Sequence, residues 1–330
     1  MDYAKHIDQM MAGYRNSMIL AAACRTGLFA VLEQGGLPAV EVAGRLGLDP
    51  RATEIVLNAL VAAGLLTLQG GDYVLEPGAA PLLLPDSPDT KASIIGHNAT
   101  MMKSWIQLPE VLRTGKPAAR PERTEQELRD FILGMENVSR ASSREVLAKI
   151  DLGGARWLLD LGGGPGTAAL NFAAAHPGLR CVVFDLPAPI GIAEEQITAA
   201  GLGDRVTTAA GDFLTDPLPT PPGGGLFDTI YISNIIHMLD EAQTGALLAK
   251  CLPVTAPGGR ILLKDFFLED SGTEPAMAAQ FSVNMLVATE GGKSYKRSET
   301  VGLLRKAGFT VEEVVDVAVH SQVICARRES

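Results

Sequence analysis

The stretch Arg156-Trp157-Leu158-Leu159-Asp160-Leu161-Gly162-Gly163-Gly164-Pro165-Gly166 constrains this chain more than any other. An apolar run ends in an aspartate, a glycine-packed turn comes at once, and a helix is expected from Thr167. Glycine has no Cβ, so backbone in such a turn can approach a ligand where a side chain would collide. In an open sheet of parallel strands, the turn after a strand lies at the carboxyl edge, where ligands bind. The stretch therefore predicts a nucleotide-like cofactor at a sheet edge.

The residues beyond the turn continue that sheet. Apolar runs predict strands at 156–161, 180–184, 205–210, 227–232, 260–267, 309–315 and 321–327. Helical spacing predicts helices at 167–176, 188–201, 241–252, 277–289 and 298–307. Strands alternating with helices give a mostly parallel sheet covered on both faces. The short link Asp316 to His320 favours a closing hairpin, hence one antiparallel strand. The expected fold class is α/β: a Rossmann-like, mostly parallel seven-stranded sheet with one antiparallel strand.

Residues 1–90 read differently. A helix is expected over 3–24, a second opened by Pro38 and closed by Gly47, and a third opened by Pro50. Leu65 to Leu68, Gly70-Gly71 and Tyr73 to Leu75 then read as a hairpin. Helix, helix, hairpin is a winged-helix pattern, which raises DNA binding as an alternative. Charge argues against it: residues 1–90 hold five Lys or Arg against ten Asp or Glu, and the whole chain carries −10. Backbone phosphates need clustered cations. Residues 92–150 read as helical with a Pro-rich break at 117–121. No apolar run reaches the roughly 18 residues that span a bilayer. The first residues lack the layout of a signal peptide, so a cytoplasmic location is expected. Cys24, Cys181, Cys251 and Cys325 form no C-x-x-C pair, and no metal site is expected.

The choice of cofactor turns on charge. The glycines fall as G-x-G-x-G, and Thr167 stands where a dinucleotide fingerprint has its third glycine. Asp160 would repel a pyrophosphate but attract a sulfonium and an ammonium group. S-adenosylmethionine has both groups and no phosphate. Asp185, at the end of the second strand, can accept from ribose hydroxyls. Asp212 can accept from an adenine amino group, with Phe213 covering the ring. An NAD-dependent oxidoreductase remains the distant alternative.

These residues resemble a known family. Leu159 to Gly166, Val183-Phe184-Asp185-Leu186-Pro187, Gly211-Asp212-Phe213, Ser233 to His237, Pro257 to Arg260 and Ala307-Gly308-Phe309 carry the resemblance. It is to class I S-adenosylmethionine-dependent methyltransferases, specifically small-molecule O-methyltransferases with an N-terminal winged-helix dimerisation domain. Plant phenolic, bacterial polyketide and hydroxyindole O-methyltransferases are of this type. The resemblance implies a cofactor site of Gly162, Gly164, Asp185, Leu186, Asp212, Phe213 and the Ser233 region. It implies His237 as general base and a homodimer through interlocked N-terminal helices. The expected domains are a dimerisation domain at 1–90, a helical substrate-lining segment at 91–150, and a cofactor-binding catalytic domain at 151–330. The partners expected are a small-molecule acceptor and a second copy, with no nucleic acid and no membrane.

Histidine suits proton removal from a hydroxyl nucleophile near neutral pH. The chain departs from the family around that histidine. Met238 stands where an acid often follows the base, Leu239 replaces an indole, and Ser294 follows Gly291-Gly292-Lys293 where many members have a glutamate. Asp265 or Glu290 is expected to orient His237. The substrate wall is expected from Met101, Trp105, Met135, Met238, Phe281, Asn284 and Met285. Two readings stay open beside O-methylation: C- or N-methylation of a larger ring such as a tetrapyrrole, and a protein of this fold that transfers no methyl.

Overall fold

The structure, a computed structural model, describes residues 1–119, 124–317 and 321–329. Parts of the expected Pro-rich break and of the closing hairpin turn, with His320, lie outside the described residues. The chain divides into two units, residues 1–103 with 122–137, and residues 104–121 with 138–330.

The first unit opens with helix α1 (Tyr3–Thr26), then α2 (Ala39–Leu46) and α3 (Pro50–Ala62). The αL residue Gly47 ends α2, and the Asp49 carboxylate accepts from Ala52 N–H at the start of α3. The hairpin β1 (Leu66–Gln69) and β2 (Asp72–Leu75) comes next, then α4 (Ala80–Leu83) and α5 (Ala92–Trp105), whose last two residues, Ser104 and Trp105, belong to the second unit. Leu28, Phe29, Leu32, Leu57, Leu60 and Leu66 form its core. Most of α1 stays outside that core: Tyr3, Ile7, Met10, Met11, Tyr14 and Met18 are exposed.

The sequence reading expects helix from residue 92 up to the Pro-rich break at 117. The structure breaks it into α5 and α6 (Leu108–Thr114). Pro109 is the reason, because its ring collides with the carbonyl four residues back, at Trp105, where α5 ends. The long α7 (Glu125–Lys149) contributes residues to each unit.

The second unit is built on a seven-stranded sheet. In chain order come β3 (Trp157–Leu161), α8 (Thr167–Ala175), β4 (Arg180–Asp185), α9 (Pro187–Ala200), β5 (Val206–Ala210) and β6 (Phe227–Ser233). After them come α10 (Glu241–Val254), β7 (Thr255–Asp265), α11 (Ala276–Ala288), α12 (Arg297–Lys306), β8 (Phe309–Val317) and β9 (Ser321–Arg328). The strand order is β5-β4-β3-β6-β7-β9-β8, and β9 alone runs antiparallel, against both β7 and β8. Both faces are buried, which is why these strands read as unbroken apolar runs. Leu159, Leu161, Ile230, Ile232 and Leu263 join one core, and Leu158, Val183, Tyr231 and Leu262 the other.

β7 begins at Thr255, earlier than the expected 260, and pairs with β6 across a register shift. Gly259 lets the two backbones close up there, since a Cβ on it would lie 2.8 Å from Ala256 O and 3.1 Å from Asp228 O. The strand order reverses between β4 and β6 around β3, so the carboxyl ends of β3 and β6 form the crevice where ligands bind in such sheets. Among the described residues, no helix is long and apolar enough to cross a membrane, and no cluster of His, Cys, Asp and Glu is placed to hold a metal ion.

Candidate active site

The glycine turn after β3 has an inward and an outward part. Gly162 (φ +69°), Gly164 (φ +55°) and Gly166 (φ +77°) are all left-handed. A Cβ on Gly162 would meet Ile235 Cδ1 at 2.3 Å, and one on Gly163 would meet Asp160 Cγ at 2.7 Å. Around Gly164 there is open space, and its N–H donates to Asp185 Oδ2 at 2.7 Å.

The structure moves Asp160 away from its expected place at the mouth of the turn. Its side chain is only 2 % exposed, lies beneath Gly163, and accepts from Ala169 N–H at 3.1 Å. A β3 side chain that points into a sheet face must find a partner there, and the free N–H groups opening α8 supply it. Burial pushes its carboxyl up to about 7; the Asp185 charge adds to this, and the Ala169 hydrogen bond opposes it.

Asp185 stands at the open edge instead. Its Oδ1 accepts from Leu186 N–H at 2.7 Å. Burial raises its carboxyl above the ordinary range, against the two backbone N–H groups that lower it. Leu186 is half exposed beside it. At the end of β5, Asp212 Oδ1 accepts from Leu214 N–H at 2.8 Å, and Phe213 leans on the core near Gly162. Lys250 holds this loop by donating to the carbonyls of Phe213, Leu214 and Asp216. Ser233, ending β6, shares a hydrogen bond with the Tyr231 hydroxyl.

Carboxylates, an open glycine and apolar side chains thus line these strand ends. That donor set fits S-adenosylmethionine: acceptors for the ribose hydroxyls and cationic groups, and apolar cover for the adenine.

The second half of the site lies past β6. Asn234 is left-handed (φ +58°), and a short 3-10 turn, Ile236–Met238, brings His237 inward. His237 Nδ1 lies 2.7 Å from Asp265 Oδ1, and both side chains are buried. The same carboxylate accepts from Phe266 N–H at 2.8 Å and from His237 N–H at 3.3 Å. Of the two expected orienting acids, the structure joins Asp265 to the imidazole. Glu290 is exposed and makes no hydrogen bond to His237. Phe281 meets the imidazole edge-on at 4.8 Å between ring centres, and Phe266 stacks on it at 6.4 Å.

Among the expected wall residues, Phe281 and Asn284 are half-buried on α11, and Met285 is buried. Met238 is partly exposed beside His237. Trp105 reaches α11, donating from Nε1 to Asn284 Oδ1 at 3.0 Å. Met101 and Met135 belong to the first unit, the former buried and the latter half-buried.

Two features escaped the sequence reading. Lys264 is 1 % exposed and donates to Asn234 Oδ1 at 3.1 Å, fixing the left-handed residue that leads to His237. Burial holds its ammonium down at about 8, with Asp265 opposing. Gly292 lets its loop cross the His237 turn, for a Cβ there would lie 2.4 Å from His237 O. Its sequence signal was the Gly291-Gly292 pair, read as the approach to a missing glutamate.

Comparison with known proteins agrees with this geometry. A family model for an O-methyltransferase domain matches residues 115–310, and one for an O-methyltransferase dimerisation domain matches residues 8–83. The 3-hydroxy-5-methyl-1-naphthoate 3-O-methyltransferase of Streptomyces sahachiroi is 36% identical over 320 residues, 94% of this chain and 91% of that protein. The tetracenomycin polyketide synthesis 8-O-methyltransferase of Streptomyces glaucescens is 31% identical over 318 residues, 92% of this chain and 90% of its own. The crystal structure of human N-acetylserotonin methyltransferase in complex with S-adenosylmethionine superposes with a TM-score of 0.90 at 25% identity, covering 100% of this chain and 99% of that one. The chain belongs to the S-adenosylmethionine-dependent O-methyltransferase family. It is an enzyme, and its cofactor is S-adenosylmethionine.

Proposed function

We propose that this enzyme methylates a hydroxyl of a small aromatic acceptor, with His237 as general base. The observation that carries the reading is the 2.7 Å contact between His237 Nδ1 and Asp265 Oδ1. A carboxylate only accepts, so Nδ1 carries the proton and Nε2 keeps its lone pair. His237 Nε2 accepts the hydroxyl proton, Asp265 steadies the resulting imidazolium, and the oxygen becomes a better nucleophile. Phe266 and Phe281 wall the imidazole with apolar surface, which suits a flat ring and keeps water off it.

Gly162, Gly164, Asp185, Leu186, Asp212, Phe213 and Ser233 hold the cofactor, and Asp160 braces the turn from below. Bound there, S-adenosylmethionine supplies an activated methyl group. The relative named for a hydroxynaphthoate acceptor supports the acceptor class.

The same reading makes α2, α3, β1 and β2 a winged-helix module and the first 90 residues a dimerisation domain. The exposed apolar stripe of α1, from Tyr3 to Met18, and the dimerisation-domain match support a homodimer. Four free cysteines support a reducing, cytoplasmic compartment.

The test is turnover of 3-hydroxy-1-naphthoate with S-adenosylmethionine, followed by mass spectrometry. The methyl ether is expected from the wild type, and His237→Ala is expected to lose about a hundredfold or more in kcat. Full activity in that variant would sink the base assignment.

A further inference from the structure

Residues 234–239, which carry His237, are gripped at both ends by side chains from other parts of the chain. Asn234 opens the segment at φ +58°, the one left-handed residue other than glycine among the described residues. Side chains resist that conformation, so something must favour it. Lys264 does so from β7. Its backbone O accepts from Asn234 N–H at 2.9 Å, and its Nζ donates to Asn234 Oδ1 at 3.1 Å. The lysine is 1 % exposed, and its ammonium lies 5.7 Å from the centre of the Phe266 ring. A buried cation is a poor way to stabilise a fold, so stability alone does not account for it.

The far end is held by Tyr295. Leu239 closes the 3-10 turn that carries His237. Its carbonyl only accepts, so the Tyr295 hydroxyl donates to Leu239 O at 2.9 Å. That uses the hydroxyl's one proton, and the Thr244 hydroxyl, 3.1 Å away, therefore donates to the Tyr295 oxygen. Both side chains are buried. Between these two grips, Ile235 packs on the glycine turn, where its Cδ1 lies 2.3 Å from the place of a Gly162 Cβ. His237, two residues on, meets Asp265. One short clamped segment thus runs from the cofactor's turn to the imidazole.

We infer that Lys264 and Tyr295 are positioning residues, which fix the two ends of 234–239 and so set the spacing between the methyl donor and His237. Each acts through the backbone of the segment rather than on the reacting atoms. Methyl transfer is sensitive to such spacing, since a displacement of about 1 Å in a reacting group can cost about a hundredfold in rate. The inference rests on the reading of His237 as the base.

The test is a rescue. Lys264→Met keeps an unbranched side chain and removes the ammonium, so Asn234 loses its lock. Asn234→Gly in the same chain removes the need for a lock, because glycine adopts φ above zero freely. Full-length variants are assayed for kcat and both KM values with S-adenosylmethionine and 3-hydroxy-1-naphthoate. Calorimetry with S-adenosylhomocysteine counts the binding-competent fraction, and each kcat is expressed per competent molecule. Lys264→Met is expected to lose about tenfold or more in kcat, with both KM values within about threefold of wild type. The double variant is expected to return to within about threefold of the wild-type kcat. Loss of the charge next to Asp265 would give no such return, because the double variant lacks the ammonium too. Tyr295→Phe keeps the buried ring, leaves Leu239 O unpaired, and is expected to lose about five- to tenfold in kcat. A double variant as slow as Lys264→Met, or Lys264→Met as fast as wild type, overturns the role of Lys264. Tyr295→Phe within about twofold of wild type overturns that of Tyr295. Either result beside a slow His237→Ala leaves the base reading standing, whereas His237→Ala at the wild-type rate overturns that reading and the inference with it.

Discussion

Replacing Asp265 with asparagine separates the charge behind His237 from the shape of the site. In the wild type, Oδ1 accepts from His237 Nδ1 at 2.7 Å and from Phe266 N–H at 2.8 Å, while Oδ2 accepts from His237 N–H at 3.3 Å. Asparagine offers one acceptor oxygen. If it takes the Oδ1 position, the amide NH₂ faces His237 N–H, and the imidazole keeps its tautomer but loses its counter-charge. If it takes the Oδ2 position, NH₂ faces Nδ1, the imidazole proton moves to Nε2, and no base is left. A hydrogen bond to a charged group contributes about 1.5–3 kcal/mol. At about 1.4 kcal/mol per tenfold in rate, the first geometry predicts a loss of roughly ten- to hundredfold in kcat, and the second a larger one. The assay is initial rate with both substrates saturating, alongside binding of S-adenosylhomocysteine. The expected result is a lower kcat with cofactor binding retained. A kcat within twofold of wild type would refute the argument, since the charge behind the imidazole would then be idle.

Three further outcomes are expected. Both Gly162→Ala and Gly164→Ala carry left-handed strain and should lower Tm, Gly162→Ala the more because its Cβ also runs into Ile235 Cδ1, whereas Gly164→Ala, whose Cβ meets open space, should in addition shrink the Tm gain that S-adenosylhomocysteine confers; thermal shift with and without it compares them. Asp160, with its folded-state carboxyl raised to about 7, holds its proton in the folded chain at pH values where the unfolded chain has released it, so its contribution to stability falls as pH rises from about 4 to 7. Asp160→Asn keeps an acceptor for Ala169 and should flatten that fall, read as Tm at pH 5 against pH 8. Met10→Glu with Tyr14→Glu puts charge in the exposed stripe of α1 and should shift the protein from dimer to monomer in light scattering, with the first-unit core of Leu57 and Leu60 untouched.

Much of the frame was legible in the chain because its signals are local. Pro50 and Gly47 punctuate α3 and α2, and the buried runs of β3, β4 and β6 are apolar because both their faces are covered. Local signals fail where a neighbour from far along the chain decides. The early start of β7 depends on pairing with Phe227. The break between α5 and α6 is the opposite case, a local signal at Pro109 that the sequence reading passed over within an otherwise helical apolar run.

The sequence by itself determined the class of sheet, the glycine turn and the acids near the ends of β3, β4 and β5, because period and backbone freedom are written residue by residue. It also put His237 at the right edge. Only the tertiary structure decided what each of those groups faces. Asp160, expected at the mouth of the turn, lies beneath it because α8 begins there with free N–H groups. Asp265 rather than Glu290 meets His237, since β7 ends beside the turn that carries the imidazole. Trp105 and Asn284, 179 residues apart, share a hydrogen bond that no spacing announces. Contacts of that separation are fixed by how the elements pack, and packing is a property of the whole fold.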